Sequence, residues 1–313
     1  MQDIEDKAYF SGKGVACVLT PCSARKSKLL EAPLSASTIT AGQQAAVARQ
    51  WRRKLLAGKP VARGGDLYSG SAFRRVRKVG IDLGASVWII SAGLGLIRSS
   101  GLVPSYDLTL SSHSPESLPG RVTGPFSYPQ WWADIQQGPF ACPLSAIGED
   151  EEGGRILLCL TKPYARLLGP ALAELPGATL DRLRIFGPGI GASLPESLRS
   201  RVLVYGARLD LISPGIQLDA GARALEHFAK LTRNQPLTDV TGDQALVDCA
   251  LSPYQPPEMV ERGRLDDSSL REHVRPWAAQ GISVRVALRR LRDMSLISCE
   301  EKRFRRIYEE AQP

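Results

Sequence analysis

Histidine is scarce in this chain, with three in 313 residues, and none lies near a cysteine pair. The six cysteines, at positions 17, 22, 142, 159, 249 and 299, include no Cys-x-x-Cys spacing. Those two shortages exclude a metal centre built from nitrogen and sulfur ligands. Scattered cysteines, three of them in apolar contexts, predict free thiols in a reduced, cytoplasmic protein. No window approaches the ~18 uninterrupted apolar residues that a membrane span needs. Met1–Asp6 is acidic and lacks the basic-then-apolar order of a signal peptide. There is no Walker lysine motif, and Gly93-Leu-Gly95 and Gly187-Pro-Gly-Ile-Gly191 lack the spacing of a dinucleotide fingerprint. An NTPase is thereby disfavoured, and no cofactor is expected.

What the chain does have is positive charge, unevenly placed. The net charge is +8. Between Cys22 and Gly80 thirteen Lys/Arg face two acids, Glu31 and Asp66, and from Ser268 onward ten Lys/Arg face six acids. Arginine outnumbers lysine in both blocks, which favours phosphate contact over general solvation. A polyanion is the expected partner.

Short apolar runs predict buried parallel strands at Val15–Leu19, Val87–Ser91, Arg155–Leu160, Arg184–Phe186 and Val202–Tyr205. Helices are expected at Ile39–Leu56, Ala72–Val79 (capped by the preceding serines), Pro163–Leu175 and Leu218–Leu231. This alternation reads as an α/β domain over residues 1–231, a mostly parallel sheet covered on both faces. Segment 111–154 reads as an irregular insertion whose aromatics, Phe126, Tyr128, Trp131 and Trp132, form a short helix. Prolines at 236, 253, 256 and 257 mark 232–264 as a linker. Beyond it, 265–313 reads as a small helical module: Ser268–Gln280, a turn at Gly281, and a helix capped by Ser283 running through Met294. Two helices joined by a glycine turn resemble a helix-turn-helix. Val286, Leu288 and Leu291 are expected to pack inward, and Arg285, Arg289 and Arg292 to share an exposed face.

Polar groups gather where the predicted strands end: Cys22, Ser23 and Lys26 in Thr20-Pro-Cys-Ser-Ala-Arg-Lys26; Ser91 with Tyr106 and Asp107; Arg208 with Asp210. Ligands of open α/β sheets bind outside the carboxyl ends of the strands, so these groups are expected to meet at one rim. Asp107, in a turn among glycines and apolar residues, is the first candidate for catalysis as a partly desolvated carboxylate. Ser23 and Lys26 suit a phosphate or a base edge. Cys22 is a nucleophile only if Lys26 activates it, since no histidine is placed to assist.

Thr20-Pro-Cys-Ser-Ala-Arg-Lys26, Leu67-Tyr-Ser-Gly-Ser-Ala-Phe73, and Trp88-Ile-Ile-Ser-Ala-Gly-Leu-Gly-Leu-Ile97 with Pro104-Ser-Tyr-Asp107 together resemble a bacterial and phage family of phage-defence DNA glycosylases. Gly206-Ala-Arg-Leu-Asp210, Ala224-Leu-Glu-His-Phe228 and Leu288-Arg-Arg-Leu-Arg292 extend the likeness. That family has a uracil-DNA-glycosylase-like three-layer fold and is distantly similar to the catalytic core of archaeosine synthase. Pro21-Cys22 with Lys26 matches the start of the synthase's Pro-Cys-x-x-x-Lys motif, but the Pro-Tyr-Ser that should follow is absent. The resemblance implies excision of a modified base, glucosylated hydroxymethylcytosine, from double-stranded phage DNA, with no obligate protein partner. It implies Asp107 and Lys26 as catalytic residues and Cys22, Ser23, Tyr68, Ser69, Ser91, Gly93 and Tyr106 around the base, with Tyr106 stacking on it and Trp131 and Trp132 walling the pocket. Arg25, Arg74, Arg208, Arg285, Arg289 and Arg292 would contact DNA. Two other classes stay open: a base-modifying transferase or amide-forming enzyme that uses Cys22 covalently on a base in DNA or tRNA, and a DNA-binding regulator without chemistry.

Overall fold

The computed structural model describes residues 14–27, 33–112, 114–149, 153–255 and 262–312. The acidic N-terminus, Lys28 and Glu31 of the basic block, residues 150–152 at the acidic end of the insertion, and Pro256 and Pro257 lie outside them. The chain divides into two compact units, residues 1–255 and 256–313.

The strands are β1 (Val15–Pro21), β2 (Leu34–Ser35), β3 (Ala62–Arg63), β4 (Ser86–Ser91), β5 (Gly95–Arg98), β6 (Leu102–Val103), β7 (Tyr106–Asp107), β8 (Arg155–Cys159) and β9 (Leu183–Phe186). The helices of the first unit are α1 (Gln44–Ala57), α2 (Gly64–Leu67), α3 (Ser71–Leu83), α4 (Tyr128–Ile135), α5 (Ala146–Glu149) and α6 (Lys162–Ala173). They continue with α7 (Gly177–Arg182), α8 (Glu196–Arg199), α9 (Leu209–Ile212), α10 (Ala220–Leu231) and α11 (Val240–Leu251). The central sheet runs β5-β4-β1-β8-β9. β4, β1, β8 and β9 pair in parallel, and β5 turns back against β4 as an antiparallel edge. β2–β7 and β3–β6 form two small side ribbons.

The apolar runs become strands because both faces of the sheet are covered. Cys17 and Leu19 of β1, with Ile156 and Leu158 of β8, pack under α1, α4 and α6 through Trp51, Trp131 and Leu168. Val18 and Leu157 point the other way, into Val76 and Val79 of α3, Leu225 and Phe228 of α10 and Val247 of α11. Alternation along each strand thus serves two helical layers, an arrangement consistent with a three-layer sandwich.

Several expectations are corrected. Val202–Tyr205 is not a fifth parallel strand. It makes one bridge, Val202 to Ile185, and then leaves the sheet, its Val204 N–H and C=O taken by the Gln244 side chain. The first long helix begins at Gln44, not Ile39, and α3 starts after Gly70 with no side-chain cap from a serine. The segment read as a linker contains α11, capped by Asp239 and packed on the first unit. Its Asp243 is fully buried between Arg155 (2.7 Å) and Arg184 (2.6 Å), both also buried. Arg155 further donates to the carbonyls of Gln235 and Pro236, so this clasp fastens the proline-rich strand of chain to β8 and β9.

The second unit holds α12 (Asp267–Ala279), α13 (Val284–Asp293) and α14 (Glu301–Glu310). The first two match the expected pair, with Gly281 at φ +65° in the turn. The third was not foreseen, and its Phe304, Ile307 and Tyr308 complete the core around Leu270, Val274 and Leu291. Ser283 precedes α13 without a side-chain capping bond. Val286 is 45% exposed, so the inward face is Ala287, Leu288 and Leu291 instead. Arg285 and Arg289 are exposed, whereas Arg292 is half-buried and donates to the Cys299 carbonyl at 2.9 Å.

Candidate active site

β1 opens at Pro21 into the loop that carries Cys22, Ser23 and Lys26, and β4 ends on Ser91 beside it. The Cys22 N–H still donates to the Ile90 carbonyl (2.9 Å), so the thiol stands on the last rung of the β1–β4 ladder. Ser91 Oγ accepts from the N–H groups of Gly93 (3.2 Å) and Leu94 (2.9 Å) in the turn that follows. Tyr68 Oη also donates to it at 3.4 Å, and Ser91 Oγ shares a hydrogen bond with Tyr106 Oη at 2.7 Å. The Tyr106 hydroxyl in turn lies 2.9 Å from Tyr68 Oη and 3.6 Å from Cys22 Sγ. Ser91, Tyr68, Tyr106 and Cys22 therefore form one connected polar cluster.

The carboxylate lies at the rim of this cluster. Asp107 Oδ1 is 3.5 Å from Lys26 Nζ, and the lysine also stands 4.5 Å above the Tyr106 ring. The Lys26 side chain is 11% exposed, whereas that of Asp107 is 44% exposed. Asp107 is thus partly desolvated and open to water on one side. β7, which carries Asp107, is held by β2: Ser35 is its register partner. Ser35 Oγ and the Ser37 N–H both donate to Glu116 at 2.9 Å. Burial alone would raise the Glu116 carboxyl, but these donors outweigh it and hold it below the usual carboxylate range.

Tyr106 cannot stack on a flipped base, since it is fully buried. The Tyr106 ring instead fills the space above Gly93, where an added Cβ would lie 2.5 Å from it. Burial, with the nearby Cys22, raises both Tyr68 and Tyr106 above the ordinary phenol value. Both therefore stay protonated donors at physiological pH. Trp131 and Trp132 are also core residues and wall no pocket. Trp131 serves the site from behind: its Nε1 donates to the Ala92 carbonyl (2.8 Å), and Trp51 Nε1 to that of Gly93 (2.7 Å).

Two further residues escaped sequence reading. Tyr164, on the first turn of α6, brings its hydroxyl 3.0 Å from Cys22 Sγ, and burial with Cys22 raises it well above the usual value. Thr161-Lys-Pro-Tyr164 follows β8 just as Cys22-Ser-Ala-Arg-Lys26 follows β1, so the signal was a third strand end. Glu116 had no signal, lying in the irregular insertion.

The remaining candidates divide. Ser23 Oγ accepts from the Gly70 N–H at 3.1 Å, and the Ser69 N–H donates to the Arg25 carbonyl at 3.0 Å, which seats Ser23, Arg25 and Ser69 on the rim. Arg74 lies on α3 in a basic groove. Arg208 closes a short 3-10 turn (Gly206–Arg208), and Asp210 pairs not with it but with Arg223 at 2.7 Å, so this pair does not join the rim as a fourth strand end. Arg285, Arg289 and Arg292 belong to the second unit. Among the described residues no cluster of His, Cys, Asp and Glu is grouped to hold a metal ion, and no helix is long and apolar enough to cross a membrane. Compared with known proteins, the chain matches no family model, no curated protein and no solved structure.

Proposed function

We propose that this protein is a DNA glycosylase of uracil-DNA-glycosylase-like three-layer fold, acting in antiphage defence on a modified base, glucosylated hydroxymethylcytosine. The observation that carries the reading is the water-exposed Asp107 held by Lys26 at the carboxyl end of the central strands, against a buried hydroxyl cluster. Breaking the N-glycosidic bond sends the bonding pair to the base and leaves positive charge on the deoxyribose. A carboxylate at that point stabilises the charge and orients the attacking water, whose oxygen joins the sugar carbon while its proton leaves toward solvent. Lys26 holds the Asp107 side chain in place and adds positive charge beside the flanking phosphate. Flipping the nucleotide costs a few kcal/mol, offset by phosphate contacts from the basic surface.

A second reading is favoured by one observation: the half-exposed Cys22 thiol with a tyrosine hydroxyl 3.0 Å away. In a base-modifying transferase that sulfur would add to an unsaturated carbon of the base, the ring π bond breaking and the thiol proton passing to the adjacent ring atom, with the Tyr164 and Tyr106 hydroxyls as hydrogen-bond donors to the sulfur.

The deciding experiment incubates the full chain with DNA containing glucosylated hydroxymethylcytosine and with unmodified DNA, scoring abasic sites and free base. Asp107→Asn is expected to lower base release by ~10²–10⁴ while duplex binding persists, and Cys22→Ser to retain most of it. A base altered in mass but not released, with the alteration lost in Cys22→Ser and kept in Asp107→Asn, would replace the glycosylase by the transferase. Binding without chemistry on either DNA would leave a regulator.

A further inference from the structure

We infer that the groove between α3 and α10 is a track for the phosphate backbone of nucleic acid, continuing from the candidate active site; this rests on the reading of DNA as the partner. The groove encloses about 390 Å³. α3 contributes Arg74, Arg75 and Lys78, and α10 with the residues after it contributes Lys230 and Arg233. The acids lining it are Asp82 and Glu226, so five cations face two carboxylates, a surplus of three. Lys78 pairs with Asp82 (2.8 Å), and Glu226 takes both Arg75 and Lys230. Arg74 and Arg233 are exposed and have no side-chain partner among the described residues. Each is a free guanidinium fork, the group best shaped to grip a phosphate.

The placement of the charges argues for an extended ligand. The two helices run side by side in one direction. Ser71 at the start of α3 bonds Asp219 just before α10 (2.9 Å), Arg75 meets Glu226 midway, and Asp82 and Arg233 share the far end. The cations are therefore strung from Arg74 to the level of Asp82 and Arg233, about 12 Å at ~1.5 Å per residue. That length faces about four phosphates of one strand, at ~3.4 Å per step. The near end of the groove abuts the site, because Gly70, just before Ser71, donates its N–H to Ser23 Oγ. Val79 and Ala229 line the groove as apolar patches, which limit screening of the charges above them. The exposed Lys78–Asp82 pair is of low worth and exchanges readily for phosphate.

The test measures affinity of the full chain for an unmodified mixed-sequence duplex across a potassium chloride series. Arg74→Gln with Arg233→Gln is expected to flatten the slope of log affinity against log salt by about 2, at ~0.9 for each phosphate no longer neutralised. Arg74→Lys with Arg233→Lys, which keeps the charge, is expected to keep the slope. Should the glutamine pair lower the thermal midpoint, Arg233→Gln alone is expected to flatten the slope by about 1. Unchanged affinity and slope in the glutamine variants, or no duplex binding by the unaltered protein at low salt, overturns the track. Failure of the glycosylase reading looks different: modified DNA would release no base although binding still depended on Arg74 and Arg233.

Discussion

At the scale of single residues, the site is held from inside the protein. Ser91 satisfies two turn N–H groups and hydrogen-bonds the Tyr106 hydroxyl, so its own hydroxyl has no substitute. Ser91→Ala leaves buried polar groups unpaired and is expected to cost about 1–3 kcal/mol in denaturant unfolding. Gly93→Ala drives a methyl into the Tyr106 ring, at a cost of about 1–3 kcal/mol from overpacking. The same tyrosines set a pH limit. Their folded pKa values lie above the unfolded value of about 10, so the stability they contribute is complete below pH ~10 and is lost as pH rises above it. A pH series of unfolding free energies is expected to fall on the alkaline side, and Tyr106→Phe to flatten that fall. Cys22, Ser91, Tyr106 and Asp107 were legible in the sequence because each closes or follows an apolar run. What was not legible was direction: a tyrosine beside a candidate carboxylate reads as a ligand contact, and here it is the wall behind the carboxylate.

At the scale of elements, the clasp between α11 and the strands decides how the first unit ends. Burial alone would raise the Asp243 carboxyl, but hydrogen bonds from Arg155 and Thr238, with the charges of Arg155 and Arg184, hold it below its usual value. Asp243→Ala leaves two buried arginines without their counter-charge and is expected to cost about 3–5 kcal/mol. Because the folded pKa is depressed, this stability is present above pH ~3.9 and lost as pH falls further. Asp243→Asn is accordingly expected to show a flatter acid limb in an unfolding titration. Sequence reading found β1, β4, β8 and β9, since strands buried on both faces are continuous apolar runs. It failed on Val202–Tyr205, where the same composition meets a side chain of α11 instead of another strand. It failed on α11 as well: prolines at 236 and 253 flank a helix as readily as they mark a linker. β5 had no signal of its own, since it starts at Gly95, with only three residues between it and Ser91, and folds straight back along β4.

At the scale of the whole molecule, two cores are separately enclosed. Leu270, Leu291, Phe304 and Tyr308 bury one another within the second unit, and the first unit fills its own two layers. A chain ending at Gln255 is therefore expected to keep the thermal midpoint of the first unit within a few degrees. If the arginines of α13 contact DNA, that shortened chain will also bind duplex with a smaller salt slope. A midpoint well below that of the full chain would show that the first unit needs the second. The two units divide after Gln255, inside the stretch 232–264 that the prolines marked as a linker and beyond α11.

The central strands also keep apart two kinds of polar chemistry. Arg155 and Arg184 grip Asp243 at the amino ends of β8 and β9, whereas Cys22 and Ser91 stand at the carboxyl ends of β1 and β4. About five strand residues, ~17 Å of dry sheet, lie between them. Over such a distance substitutions act independently. The gripping pole is thus free to drift toward heat tolerance while the candidate site is retuned for a different ligand, and neither change has to wait for the other.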